Sequence, residues 1–366
     1  MSKRWKINGI NIFIKLFLFL TQKKLETSFI KENFKPGHIV IYSTTALGDF
    51  LFNTPAIKSV RRRFPDAKIT LIAHRKFSEI LQYGEDWNDI VYWNNKIATI
   101  PRILRQLKKK PNIDLSLILH SHEPYDYLCA ILSGSRLVIR DNYNDNVPQR
   151  DKWLADYMIA FKGHIIERKL KLVEGLGCDI TDIEMKFPYK VKEKITTDNP
   201  IIGFQLGASK PDRCWPPEYF SETAQKILEH HSDAVIILTG GPDDKDKASD
   251  FYSFLPESYH NNIINKVAST NLIELASIIN EMDILLTGDT GPLHVAISVK
   301  TPTLGLFVTA NPYSTGAYQD LDLHDFIYIP QRKSSLSNRY IMGQITPEMV
   351  VDRIEKKIMK KSEKSQ

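Results

Sequence analysis

Cysteine is scarce in this chain of 366 residues: Cys129, Cys178 and Cys214 lie far apart and are odd in number. That argues against a disulfide framework or a zinc knuckle and fits a reducing, cytoplasmic compartment. Long apolar runs are lacking too. The best of them, Ile10 to Leu20, is interrupted by Asn11 and Lys15, falls short of the roughly 20 residues of a membrane span, and is followed by no small-residue cleavage site. No Gly-x-Gly-x-x-Gly run follows a first strand, which argues against a nicotinamide-dependent dehydrogenase or a sugar-nucleotide epimerase of that type. The net charge of +6 is mild, and no aromatic-interleaved motif accompanies the basic runs Arg61-Arg62-Arg63, Lys108-Lys109-Lys110 and Lys356 to Lys364. They read as solvated helix faces, with no nucleic-acid partner expected. No repeat of solenoid period appears.

What is present is a globular composition, 42% hydrophobic and 25% charged, in a chain long enough for two domains. From residue 38 onward short apolar strands alternate with helical patterns, the signature of parallel sheets covered by helices. His38 to Tyr42, Ile69 to Ala73, Leu115 to Leu119 and Leu137 to Arg140 read as strands of a first series. An amphipathic helix is expected from about Lys152, and another from His164 to Leu176 that ends at Gly177. A polar, Lys-rich stretch with Pro188 and Pro200 then breaks the pattern. The second series has strands at Ile201 to Leu206, Ala234 to Thr239, Ile263 to Val267, Ile284 to Thr287 and Pro302 to Phe307, with helices from Pro216 to His230 and from a cap at Asn271. A last helix opens at Thr346-Pro347-Glu348. The expected division is an N-terminal extension over 1–36, a Rossmann-like domain over 37–185, a hinge over 186–200, a second Rossmann-like domain over 201–335, and a helix with a basic tail over 336–366.

Two strand-loop-helix joints carry the chemistry. In Gly288-Asp289-Thr290-Gly291-Pro292-Leu293-His294 a buried strand hands over to a helix, where free N–H groups and the helix dipole favour an anion and glycines allow close approach; a diphosphate is the natural guest. In Ser43-Thr44-Thr45-Ala46-Leu47-Gly48-Asp49 the loop bears a carboxylate, and Thr54-Pro55 beyond it suits the cap and first position of the next helix. Two such loops suggest two domains facing one cleft. His120-Ser121-His122-Glu123 follows a strand; its histidines alternate and so point to opposite faces, which fits a ligand-cleft wall better than a metal site.

These residues together resemble glycosyltransferase family 9, the ADP-heptose:lipopolysaccharide heptosyltransferases, over about residues 38 to 320. The matching pieces are Ala46-Leu47-Gly48-Asp49, Thr54-Pro55-Ala56, Phe64-Pro65-Asp66-Ala67, Trp215-Pro216, Gly240-Gly241-Pro242, and Gly288-Asp289-Thr290-Gly291-Pro292 with His294. The resemblance implies an α/β fold of GT-B type, with acceptor on the N-terminal domain, nucleotide-sugar on the C-terminal one, inversion at the sugar carbon, and neither metal nor other cofactor. No Asp-x-Asp pair stands directly at the end of one of the expected strands, which agrees with the last point.

Asp49 is the expected general base, with a helix-capping role as the plain alternative. Arg213 falls where relatives commonly carry lysine; it and Lys210, with Thr290, Gly291 and His294, are expected at the donor diphosphate. Asp289 is expected to orient the loop or meet a sugar hydroxyl, and Gly240, Gly241 and Asp243 to border the nucleotide. Thr45, Gly48, His120 and His122 are the acceptor-side candidates. The expected partners are a nucleotide-sugar and a lipid-linked saccharide, with peripheral contact to an anionic membrane through the N-terminal segment, whose Lys3, Arg4, Lys6, Lys23 and Lys24 flank the apolar residues. A helix docked on the N-terminal domain fits that segment equally well. The rival readings are a non-catalytic sugar-nucleotide-binding or scaffold protein of the same fold, and a family member using another nucleotide-sugar. The loop Tyr42-Ser43-Thr44-Thr45, where relatives often carry Arg or Ser, leaves the acceptor open.

Overall fold

The first strand of each series becomes a central strand of its own parallel sheet. The computed structural model describes residues 3–25, 34–141, 156–158, 163–195, 197–330 and 341–364, and the chain divides into two compact units, Met1–Tyr189 and Lys190–Gln366.

In the first unit β1 (His38–Ser43) is buried at every residue and lies between β2 (Lys68–Ala73) and β4 (Leu115–His120). With β3 (Asp89–Tyr92), β5 (Leu137–Asp141) and β6 (Asp156–Met158) the order is β3-β2-β1-β4-β5-β6, parallel throughout. Strands covered on both faces need continuous apolar runs rather than alternation, which is what β1, β2 and β4 carry. The helices are α1 (Lys3–Thr21), α2 (Leu47–Arg63), α3 (Ser78–Leu81), α4 (Ile100–Leu107), α5 (Tyr125–Leu132) and α6 (Ile165–Glu174). Ile14 of α1, Ile103 of α4 and Leu128 of α5 share a core with Val40, Tyr42 and Ile118 of the sheet, while α2 packs with α6.

The second unit repeats the plan. Its strands β7 (Ile201–Gln205), β8 (Val235–Thr239), β9 (Ile263–Asn265), β10 (Ile284–Gly288), β11 (Thr303–Phe307) and β12 (His324–Tyr328) form a parallel sheet in the order β12-β11-β10-β7-β8-β9. Around it lie α7 (Pro217–His230), α8 (Lys245–Phe254), α9 (Leu272–Glu281), α10 (Gly291–Ser298), α11 (Pro312–Thr315) and α12 (Pro347–Lys364). The last helix packs on α7, where Val350, Ile354 and Ile358 join Trp215, Phe220 and Ile227 in one core. In both sheets the winding reverses beside the unit's first strand, between β1 and β4 and between β7 and β10. Such switch points are where doubly wound sheets bind ligands.

Three expectations need correction. The helix expected to open at Thr54-Pro55 already opens at Leu47, so Pro55 lies inside α2. Proline cannot donate to the Leu51 carbonyl, and the Thr54 hydroxyl donates to it instead at 2.7 Å. The helix expected from about Lys152 falls largely outside the described residues, and the part that is described, Asp156–Met158, is a strand, β6, paired with Ile139–Asp141. By pairing there, β6 covers an edge of β5 that would otherwise be open, a long-range effect that the local pattern does not reveal. Strands β3 and β12 were not expected, because Asp89 and His324-Asp325 interrupt the apolar runs that marked the others.

His324 supplies a pH test. Its Nδ1 lies 3.0 Å from Thr303 Oγ1, and burial, the largest cause, lowers its pKa from 6.5 to about 4, Lys357 adding to it and Asp320 opposing. The unfolded chain therefore takes up a proton that the folded unit refuses, and stability present above pH 6.5 is lost as pH falls toward 4. The slope contributed is at most about 1.4 kcal/mol per pH unit. Thermal denaturation between pH 7 and 4.5 should show a shallower acid loss for His324→Gln than for the wild type; equal slopes would contradict the assignment.

Candidate functional site

Both switch points gather polar side chains. At the first, the backbone N–H of Thr44, just past β1, donates to the His120 carbonyl at the end of β4 at 2.8 Å. The Thr44 hydroxyl donates to Asn95 Oδ1 at 2.6 Å and lies 2.7 Å from Ser121 Oγ, and Asn95 Nδ2 donates to the Thr44 carbonyl at 2.9 Å. Asn95 holds φ at 61°, a left-handed conformation that asparagine tolerates better than most residues. These bonds fix the floor of a pocket of about 510 Å³, walled by Thr45, Asp49, His120 and His122 and also by His74 and Asn94. Gly48, expected on this wall, is instead buried in the first turn of α2.

Asp49 caps its helix and also faces the pocket. One carboxylate oxygen accepts from the Ala46 N–H at 3.1 Å, capping α2; the other faces His120 Nε2 at 3.6 Å. His120 is held well below the ordinary imidazole value, first by burial and then by Lys169 and Arg140 nearby. It is therefore neutral at pH 7. Lys169, wholly buried, donates to the Leu119 carbonyl and to Asp141; burial pulls its pKa down to about 8, against the attraction of Asp141.

At the second switch point the loop after β7 folds back over the end of β10. A turn at Pro211–Arg213 places the Arg213 carbonyl so close to Gly288 that a Cβ built there would sit 2.6 Å from it. Glycine is what lets the two segments touch. The Arg213 guanidinium then reaches Asp289 Oδ2 at 2.6 Å, the other oxygen of Asp289 lies 3.8 Å from His294 Nε2, and Arg213 Nε is buried without a hydrogen-bond partner among the described residues. Asp289 thus orients a cation and an imidazole at one helix start. Lys210 is exposed on the same loop.

Helix α10 begins at Gly291, with Thr290 as its N-cap and Pro292 in its first turn. The Thr290 hydroxyl, expected to face phosphate, is turned inward: it accepts from the Leu293 N–H at 3.4 Å and lies 2.9 Å from Thr287 Oγ1. His294 is a buried residue of the helix itself. After β8, Gly241 donates to Asp244 at 2.8 Å, whereas Asp243 is exposed. Asp244, which the sequence reading passed over for its neighbour, lies against Gly207 and Gly240 and holds Lys247 at 2.5 Å. Burial opposes the Lys247 ammonium, but the Asp244 hydrogen bond and the nearby Cys214 raise its pKa above the ordinary value. Only the three-residue spacing of Asp244 and Lys247, one helical turn, could have pointed to this pair. Among the described residues no group of three or more His, Cys, Asp or Glu could hold a metal ion.

The family model for glycosyltransferase family 9 (heptosyltransferase) matches residues 155–335. The chain is 23% identical over 333 residues to lipooligosaccharide heptosyltransferase 2 of Campylobacter jejuni, covering 88% of this chain and 99% of that one. Among solved structures it is similar to the glycosyl transferase family 9 protein of Veillonella parvula, with a TM-score of 0.74, 20% identity and coverage of 92% of this chain and 100% of the other. It is also similar to Escherichia coli ADP-heptose LPS heptosyltransferase II, with a TM-score of 0.71, 17% identity and coverage of 89% and 99%. The fold is α/β of GT-B type, with two Rossmann-like parallel sheets.

The contact at Gly288 is directly testable. Gly288→Ala must push back a backbone carbonyl now 2.6 Å from the new methyl group, which typically costs about 1–3 kcal/mol. The variant should melt earlier, and an unchanged melting temperature would show that Arg213 does not rest on this glycine.

Proposed function

From its membership of glycosyltransferase family 9 we infer that this chain moves a heptose from ADP-heptose onto the saccharide of a lipid-linked acceptor such as the lipopolysaccharide core. The observation that carries this reading is the pair of unlike assemblies at the two switch points. One is a pocket with a carboxylate whose neighbours are a backbone N–H and a neutral imidazole. The other is a guanidinium and an imidazole held by one aspartate at a helix start. The named activities of the relatives supply the sugar and the acceptor class.

In the proposed reaction Asp49 takes the proton of the acceptor hydroxyl as its oxygen attacks the anomeric carbon of the heptose. The bond from that carbon to the diphosphate breaks with its electron pair, so configuration inverts and ADP leaves. Charge developing on the diphosphate meets Arg213, the Gly291 N–H and His294, with Lys210 able to reach in from its loop. No metal ion is needed in this scheme, because the guanidinium and the helix start supply the positive potential. The nucleotide borders Gly240 and Gly241, with Asp244 and Lys247 shaping that wall. The acceptor saccharide occupies the pocket beside Thr45, His120 and His122. Work on a lipid-linked acceptor would place the enzyme at the inner face of the cytoplasmic membrane.

Asp49→Ala and Asp49→Asn should lower kcat by on the order of 10²–10⁴ while leaving the thermal shift caused by ADP intact; near-normal turnover in either variant removes Asp49 from the mechanism. ADP at a hundredfold excess over its Kd should stabilise the protein by about 2.7 kcal/mol, and Arg213→Ala should weaken that binding about tenfold or more through loss of a charge-assisted contact. A thermal response to UDP, GDP or CMP but not to ADP would overturn the donor assignment.

A further inference from the structure

Helix α1 is apolar on two opposite sides. Ile7, Asn11 and Ile14 are buried, Ile14 together with the partly buried Ile10, Phe17 and Leu18 packs into the core formed by α4, α5 and the sheet, and the Tyr127 hydroxyl donates to Asn11 Oδ1 at 3.2 Å. This fixes the helix on the first unit. On the far side Trp5, Ile12, Leu16 and Phe19 recur at helical spacing, with Phe13 and Leu20 beside them, and their exposures run from 47% for Phe13 to 72% for Phe19. A soluble protein seldom leaves six large apolar side chains together in water.

Charge decides what covers them. Lys6 and Lys15 are exposed on the flanks of this apolar face, Lys23 and Lys24 follow the helix end, and no Asp or Glu occurs before Glu26. A second copy of the chain would set lysine against lysine. An anionic bilayer surface would receive apolar side chains among its acyl chains and lysines among its phosphates. None of the helices described is long and apolar enough to cross a membrane, which fits a helix that lies along the surface.

We propose that the outward face of α1 is a docking surface for anionic lipid, holding the first unit at the membrane through a rigid helix rather than a flexible tether. This inference stands on α1 alone and does not depend on the transferase reading.

Flotation of the full chain with vesicles tests it, using phosphatidylcholine alone and phosphatidylcholine with about a third phosphatidylglycerol. The wild type should float with the anionic vesicles and stay behind with the neutral ones. Ile12→Gln, Leu16→Gln and Phe19→Gln combined should reduce partitioning about tenfold or more. Lys6→Glu, Lys15→Glu and Lys24→Glu combined should do so to a similar degree. Both sets change exposed side chains only, so thermal melting should stay that of the wild type. Failure of the wild type to float, or flotation that neither set weakens, overturns the proposal. So does concentration-dependent dimerisation that the glutamine set abolishes, which would make a second copy the occupant.

Discussion

The constraint on which both sites depend is the reversal of winding beside β1 and β7. Right-handed crossovers carry successive strands outward in one direction until the chain returns to the other flank of its starting strand. The loops leaving β1 and β4, and those leaving β7 and β10, then diverge to opposite faces and leave a gap above two adjacent strand ends. Both clusters lie at those gaps: Thr44 bonded to the end of β4, and Arg213 folded over the end of β10. The order β3-β2-β1-β4-β5-β6 and its repeat in the second sheet therefore set where these candidate residues lie.

The two gaps manage charge differently. In the first, the buried cation Lys169 is paired with Asp141 and a backbone carbonyl, and it adds to burial in keeping His120 neutral. Asp49 is left beside an uncharged imidazole. In the second, Asp289 is committed to Arg213 at 2.6 Å. In the proposed reaction the first gap offers a carboxylate to the acceptor hydroxyl and the second a guanidinium to the diphosphate.

Much of this was legible in the sequence. Continuous apolar runs gave β1, β2, β4 and β10 to within a residue or so, because a strand covered on both faces has no polar position to blur its ends. The start of α2 was not legible, since Thr54-Pro55 imitates a cap; the distinguishing fact, a hydroxyl donating to the carbonyl that proline abandons, is tertiary detail rather than pattern. Thr45, Asp49, His120 and His122 were read from their places after strands and do line one pocket. His74 and Asn95 reach the same pocket from segments with no motif of their own. Asp244 lost to Asp243 for a related reason: two adjacent acids look alike in sequence, and only the turn after Gly241 decides which one faces inward.

The two joints that look alike in sequence are chemically opposite because of where each carboxylate falls relative to its helix. Asp49 is the third residue of α2 and accepts the Ala46 N–H, so it occupies the positive end of that helix and would repel a phosphate brought there. Asp289 precedes the cap of α10, is already matched by a guanidinium, and leaves the first turn of that helix without an acidic residue. A shift of a few positions in one carboxylate thus changes which charge each helix start favours. That difference is consistent with the proposal, drawn from the family resemblance, that the donor diphosphate binds the second unit and the acceptor the first.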